Sequence, residues 1–339
     1  MRSNYHMDPN AHFYELSLKL WEKLSQALNF NVMYSVRGVL NLVHSPADLD
    51  AAMRRGNAMR LNGIDAKFMT RDEIARQIPN LDCSPDARFP ILGGLLQPRG
   101  GTVRHDAVAW GYARAADALG VDIIQQCAVT GIRVDRGAIA GVETTQGFIA
   151  TEKLGLAVAG HSGHVAAMAG IKLPIESHVL QAMVSEPVKP VLDTVVTSGA
   201  VHFYISQSDK GELVMGGDLD FHNSYAQRGN LPIIEHVVSA CLALFPSFGR
   251  LKLMRTWGGI MDMTMDGSPI IGKLPVQGLY MTGGWCYGGF KATPASGYCL
   301  AHTMARDEPH PLNTAFTLER FAEGRMIDEK GAGPYAWAH

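Results

Sequence analysis

The stretch at residues 278–305, GLYMTGGWCYGGFKATPASGYCLAHTMA, decides the fold reading. Residues 279–281 read as a strand that runs into Gly283-Gly284, then Gly288-Gly289, then a helix of small residues. Glycines at such a place let backbone approach a flat or phosphorylated ligand closely. A helix N-terminus behind the loop is a ready anion site. On pattern alone, a tight structural turn explains the glycines equally well.

Two further blocks lie upstream. Residues 255–275, RTWGGIMDMTMDGSPIIGKLP, place an Asp266-Gly267 turn between two strands. By spacing, a plain β-hairpin is the simplest reading. Residues 96–114, LQPRGGTVRHDAVAWGYAR, put His105 at a helix start, with Arg104 before it and Asp106 after it. A histidine there is ordinarily a solvated or capping residue.

Around these blocks the chain alternates elements. Helical spacing is predicted over residues 9–29, and two short strands flank Arg37-Gly38. Surface helices are predicted over residues 45–62 and 70–77, the second with a Thr cap and acidic first turn. The helix beginning at His105 ends at Gly120, and short strands follow from Val121 to Val158, with turns at 135–137 and 146–147. Residues 175–220 alternate apolar and polar, as a half-buried antiparallel sheet does, and a helix near 231–244 follows. The class is α/β with mixed α+β character. No internal repeat is present.

Composition narrows the function classes. The 339 residues, 47% hydrophobic, suffice for one large or two closely associated domains. Thirty basic against 32 acidic residues form no basic stripe, which argues against nucleic acid. Cysteines at 83, 127, 241, 286 and 299 show no CxxC spacing, so neither a disulfide framework nor a metal site is expected. No apolar run suits a signal peptide or a membrane span. These features lead to an expectation of a cytoplasmic protein with reduced thiols.

The three blocks, in this order and spacing, resemble the D-amino-acid-oxidase-type flavoproteins. The wording RSNY, NVMYSVRGVLNL, RGGTVRHDAVAWGYAR and TWGGIMDMTMDGSPIIG is similar to the β subunits of heterotetrameric sarcosine oxidases. The resemblance covers essentially the whole chain. It implies oxidation of an N-methyl amino acid by hydride transfer to noncovalent FAD, giving glycine and formaldehyde or methylene-tetrahydrofolate. It also implies FMN bound covalently through His105, electron transfer from FAD to FMN and then oxygen, and assembly with α, γ and δ subunits. Arg2 and Lys291 match the family's carboxylate-binding pair. A desolvated carboxylate needs such cations, Arg as a two-pronged donor and Lys as a point charge. Gly160, Gly283, Gly284, Trp285, Gly288, Gly289, Phe290 and Lys291 are the expected cofactor-contacting positions.

Three departures stand out. Gly259 occupies the place where monomeric relatives carry a flavin-linking cysteine, in keeping with noncovalent FAD. ELVMGGDLDFH has no lysine where monomeric relatives use one with oxygen. No GxGxxG occurs anywhere, although such a turn holds the FAD pyrophosphate in this fold. The expectation is therefore a truncated FAD-binding domain made of residues 1–30, 95–165 and 255–310. It is joined to an antiparallel substrate domain of residues 31–94 and 166–254, with a C-terminal helix and tail over 311–339. Such a chain should leave a sheet edge and apolar surface uncovered. A related amine or imino-acid dehydrogenase subunit, or a noncatalytic scaffold subunit, are the rival readings.

Overall fold

Three of the helices begin at side-chain caps, at Ser45, Thr70 and Asn230, in a computed structural model that describes residues 1–329. The chain opens with α1 (Asp8–Ala27), β1 (Ser35–Val36), β2 (Val39–Val43), α2 (Pro46–Leu61), β3 (Lys67–Thr70) and α3 (Arg71–Gln77). Next come β4 (Gly93–Gln97), β5 (Gly101–Thr102), α4 (His105–Ala118), β6 (Val129–Asp135), β7 (Ala138–Thr144), β8 (Gly147–Ala150) and β9 (Leu154–Leu156). A 3-10 turn (Ala159–His161) leads into α5 (Ser162–Ala167), then β10 (Ile175–Pro187), β11 (Val195–Ser198), β12 (Phe203–Gln207), β13 (Glu212–Leu219) and α6 (Leu231–Leu244). The described chain finishes with β14 (Leu253–Thr264), β15 (Ile270–Lys273), β16 (Leu279–Gly283) and α7 (Gly289–Arg306).

Ser45 and Thr70 each close a capping box, with Asp48 and Glu73 answering from three residues on. Each box satisfies two backbone donors that a helix start would otherwise leave open. Ser45→Ala is expected to cost about 1 kcal/mol, read as a lower midpoint in urea at unchanged slope.

An eight-stranded sheet runs in the order β14-β10-β13-β12-β11-β2-β4-β3. It is antiparallel except at β11–β2. Leu40, Ile74, Met183, Ile205, Val237 and Phe245 form its main core, under α3 and α6. A smaller sheet, β15-β16-β9, contains the parallel pair β16–β9. α1 and α7 pack together with Phe13, Tyr14, Trp285, Ala292 and Cys299 buried in one cluster. The three-stranded meander β6-β7-β8 shares a core with the small sheet through Ile132, Ile139, Leu156 and Met281. The mixed α/β class expected from the sequence is what forms.

Several local expectations change. β1 and β2 do flank Arg37-Gly38, but they do not pair with each other. β1 pairs with β5, and β2 joins β4 and β11. Asp266-Gly267 does not close a hairpin either, because β14 lies in the large sheet and β15 in the small one. The physical reason lies at Asp266, which is buried rather than at a solvent turn. Its carboxylate takes both prongs of the fully buried Arg320 (2.8 and 3.0 Å) and the N–H groups of Ser268 and Ile327. A buried charge persists only with this degree of pairing. It ties the crossover between sheets to the chain after α7. β14 also carries the large sheet through the domain boundary expected at 255. After 311 the described chain makes single 3-10 turns (Pro311–Asn313 and Glu319–Phe321) in place of a longer helix. Residues 330–339 of the expected tail lie outside the described residues.

The strand expected at 121–126 is not in any sheet, and Leu119, Val121, Ile123 and Ile124 are exposed. Among the described residues, β9 pairs only with β16 and has a free edge. A strand-prone segment stays out of a ladder when no partner strand lies beside it, since its backbone groups are then better served by water.

Candidate active site

Lys291 is held by its backbone before its side chain does anything. It is the third residue of α7. Its carbonyl accepts hydrogen bonds from Ser17 Oγ (2.6 Å) and Trp21 Nε1 (2.9 Å), both on α1. Pro294 cannot donate to the Phe290 carbonyl one turn back. The Thr293 hydroxyl donates to that carbonyl instead (2.8 Å).

From this anchor the Lys291 ammonium donates to the Tyr287 carbonyl (2.5 Å). It lies 5.9 and 6.0 Å from the ring centroids of Tyr5 and Tyr14. Those rings are buried and stacked 3.8 Å apart at 9°. The Arg2 guanidinium stands 5.2 Å from the Tyr5 ring and donates to Asn4 Oδ1. The two expected cations therefore converge on one aromatic pair. Enclosure of the ammonium, and after it the Arg2 charge, holds Lys291 well below the ordinary lysine range. Burial also pushes Tyr5 up to about 12 and Tyr14 well above the ordinary phenol range, so both phenols stay neutral.

A cavity of about 140 Å³ opens beside them, lined by Arg2, Asn4, Tyr5, Arg55, Trp285 and Tyr287 among others. Glu329 also lines it, but its carboxylate is taken by the N–H groups of His6 and Met7 and by the Asn10 side chain. Among the described residues, neither Arg2 nor Lys291 forms an ion pair. Asn4 Nδ2 is buried with no partner among the described residues. Two basic side chains and a donor with no partner among the described residues, close to one cavity, suit a small carboxylate.

The glycine loop serves the protein first. Gly284 sits at φ +71°, where a side chain would also strike Thr264 Cγ2 at 2.5 Å. A Cβ on Gly288 would come within 1.9 Å of the Tyr14 hydroxyl oxygen. The tight turn is thus a packing requirement, and it delivers Trp285 to the cavity wall and leads into α7, which carries Lys291. Gly283, at the end of β16, and Gly160, just past β9, stand at the carboxyl ends of the parallel pair. α/β sheets receive ligands at this position. Gly289 begins α7. Phe290 is partly exposed and rests against Trp21 (5.7 Å between centroids) rather than lining the cavity.

His105 stands apart from this cluster. It is the exposed first residue of α4, next to an Arg104–Asp106 ion pair (2.8 Å). Gly259 on β14 has open space where a side chain would be. β13, which carries most of the lysine-free ELVMGGDLDFH segment, holds Asp218 against His236 (3.7 Å). Sequence reading missed the Tyr5–Tyr14 stack, the orphaned Asn4 and the buried Asp262. The only signal for the first two is their closeness to Arg2, for Tyr5 and Asn4 lie within RSNY.

FAD fits this arrangement in part. The parallel strand ends and the cavity beside Arg2 are present, while the pyrophosphate-binding GxGxxG is not within this sequence. Among the described residues there is no metal-binding cluster and no helix long and apolar enough to cross a membrane.

A sequence model of the FAD dependent oxidoreductase family matches residues 1–303. The sarcosine oxidase subunit beta of Rhizobium meliloti (strain 1021) is 63% identical over 333 residues, covering 98% of this chain and 80% of that protein. The subunit of the same name from Arthrobacter sp is 50% identical, covering 99% and 83%. Among solved structures, L-proline dehydrogenase from P. horikoshii superposes with a TM-score of 0.89 at 24% identity, covering 96% of this chain and 86% of that one. Glycine oxidase from Geobacillus kaustophilus gives 0.83 at 21% identity, covering 93% and 84%. These two likenesses bear on the fold alone. With the matched family model and the two β-subunit relatives, the chain belongs to the FAD dependent oxidoreductase family, among its sarcosine oxidase β subunits.

Proposed function

We propose that the chain is the β subunit of a heterotetrameric sarcosine oxidase, oxidising sarcosine to glycine and formaldehyde or methylene-tetrahydrofolate. The observation that carries this reading is the meeting of Arg2 and Lys291 over Tyr5, without an acidic partner among the described residues, in a chain of the FAD dependent oxidoreductase family. Arg2 would clamp one carboxylate oxygen of sarcosine and Lys291 the other. Tyr5, Tyr14 and Trp285 would exclude water and fix the N-methyl group by packing. FAD, when bound, supplies the acceptor for the hydride leaving that group. Gly160, Gly283 and Gly284 are the positions that would lie against it.

His105 would carry the covalent FMN, on a surface open to a neighbouring subunit. Gly259 is consistent with noncovalent FAD, and the absence of lysine from ELVMGGDLDFH is consistent with oxygen reacting elsewhere. The α, γ and δ subunits are the proposed partners, in the cytoplasm. Residues 1–30, 95–165 and 255–310 would form the flavin-binding part, and 31–94 and 166–254 the substrate part.

The test is flavin stoichiometry on the chain co-expressed with α, γ and δ subunits, followed by sarcosine turnover. Acid precipitation should leave FMN in the pellet and free FAD in the supernatant, and sarcosine should be consumed faster than proline or D-amino acids. A preference for proline or D-amino acids would instead support a dehydrogenase subunit. No flavin in either fraction would support a scaffold.

A further inference from the structure

A buried carboxylate lies directly behind the glycine loop. Asp262, on β14, is nearly inaccessible to water. Its Oδ2 accepts the Gly284 N–H at 2.6 Å. Its own main-chain carbonyl accepts the Cys286 N–H at 2.9 Å. One residue thus takes the N–H groups on both sides of Trp285, Gly284 through its carboxylate and Cys286 through its main chain.

The loop needs such a hold. Gly284 and Cys286 both have positive φ (+71° and +51°), and a cysteine in that region costs on the order of 1 kcal/mol or more. Trp285 lies between them, in the cavity wall. The groups around Asp262 are few. Across the strand pair it faces Ser177 of β10, and the neighbouring 3-10 turn brings Gly160 and His161 against β14. From the loop comes the Cys286 thiol, which burial pushes up to about 11. Among the described residues no cation pairs with Asp262. Its pKa is raised to about 6, by burial first, with the loop N–H bonds opposing.

We infer that Asp262 is a positioning residue for the amine-oxidising site: its carboxylate holds the Gly284–Cys286 turn, and through it Trp285 and Lys291, in register with Arg2. This rests on the amine-oxidase reading. A raised folded-state pKa means that ionisation of Asp262 opposes folding. Its contribution to stability is full below the unfolded carboxylate range and is lost as pH rises through about 6. The protein keeps the charge at neutral pH at a cost in stability, which is the signature of a functional constraint. Protonation removes the charge that strengthens the Gly284 N–H bond to Oδ2. Asn, neutral at every pH, lacks that charge throughout.

The experiment compares wild type with Asp262→Asn and Asp262→Glu in the α, β, γ and δ complex, from pH 5 to 8.5. Misplacement of the site by a fraction of an ångström should lower kcat in Asp262→Asn by about 10- to 100-fold, with Tm unchanged or raised. Wild-type kcat should fall below about pH 6, and the Asn variant should lack that limb. A tryptophan-emission titration of the resting complex should show the same limb in wild type and lose it in the variant, without any turnover being measured. Asp262→Glu should recover part of the rate. Loss of Tm in parallel with rate, or an acid limb that persists in Asp262→Asn, would overturn the inference. If wild type does not oxidise sarcosine yet the emission limb tracks Asp262, the substrate reading fails and the role of Asp262 in holding the loop stands.

Discussion

His105→Ala is expected to leave no flavin in the acid-precipitated pellet, while sarcosine still reduces the noncovalent FAD of the assembled enzyme. The structure makes this a clean substitution. His105 is exposed at the first turn of a 14-residue helix, and Asp106, one residue on, bonds to Arg104 rather than to the imidazole. Alanine is a better helix former than histidine, so α4 should lose no stability. The packing of α4 comes from Val108 and Gly111, the latter against Leu28 and Phe30. Its open N-terminal N–H groups favour a negatively charged group such as a phosphate. Because His105 does not line the carboxylate cavity, FAD reduction by sarcosine under anaerobic conditions should proceed at the wild-type rate. Aerobic turnover should fall to a few per cent or less, since its electrons would lose their route outward. A covalent flavin that survives the substitution would move the attachment to another residue.

Much of the fold was legible because local chemistry and tertiary packing agree. Ser45 and Thr70 cap helices whatever surrounds them. The alternation over β12 and β13 survives because one face of that sheet is buried. What was not legible depends on partners distant in sequence. Asp266-Gly267 has hairpin chemistry by any local rule, yet Arg320, 54 residues on, pulls Asp266 inward and the strands part into two sheets. Val121, Ile123 and Ile124 have strand character but no strand to meet.

The site divides the same way. Arg2, by ordinary rules a frayed terminal charge, was singled out only through family wording, and the structure places it beside Lys291. Tyr14 and Asp262 carry no local mark of importance. A tyrosine on a helix and an aspartate in a strand gain their roles from Tyr5 and Gly284, which only folding brings to them. Phe290, in GGFK, rests against Trp21, because α7 turns that side chain toward α1, a contact that no local signal foretells.

Lys291→Met should raise the KM for sarcosine by on the order of 100-fold, equivalent to about 3 kcal/mol, and leave the complex at least as stable as wild type. Methionine keeps the length and packing of the side chain while removing the charge. The sign of the stability change follows from the enclosed ammonium. With its folded-state pKa lowered, the site favours the neutral amine. Stability from this residue is therefore full above the unfolded lysine range and declines as pH falls toward the folded pKa. At neutral pH the lysine is a liability to folding, and its removal should hold or raise Tm. Binding runs the other way. A carboxylate beside Lys291 favours the ammonium and raises its pKa, so binding draws in a proton and weakens as pH rises. Calorimetry with a nonreactive carboxylate analogue, in buffers of different ionisation enthalpy, should report that uptake in wild type and none in Lys291→Met. An unchanged KM would remove Lys291 from the carboxylate receptor. A large fall in Tm would show that the ammonium bond to Tyr287, and not a substrate carboxylate, is what the lysine is there to make.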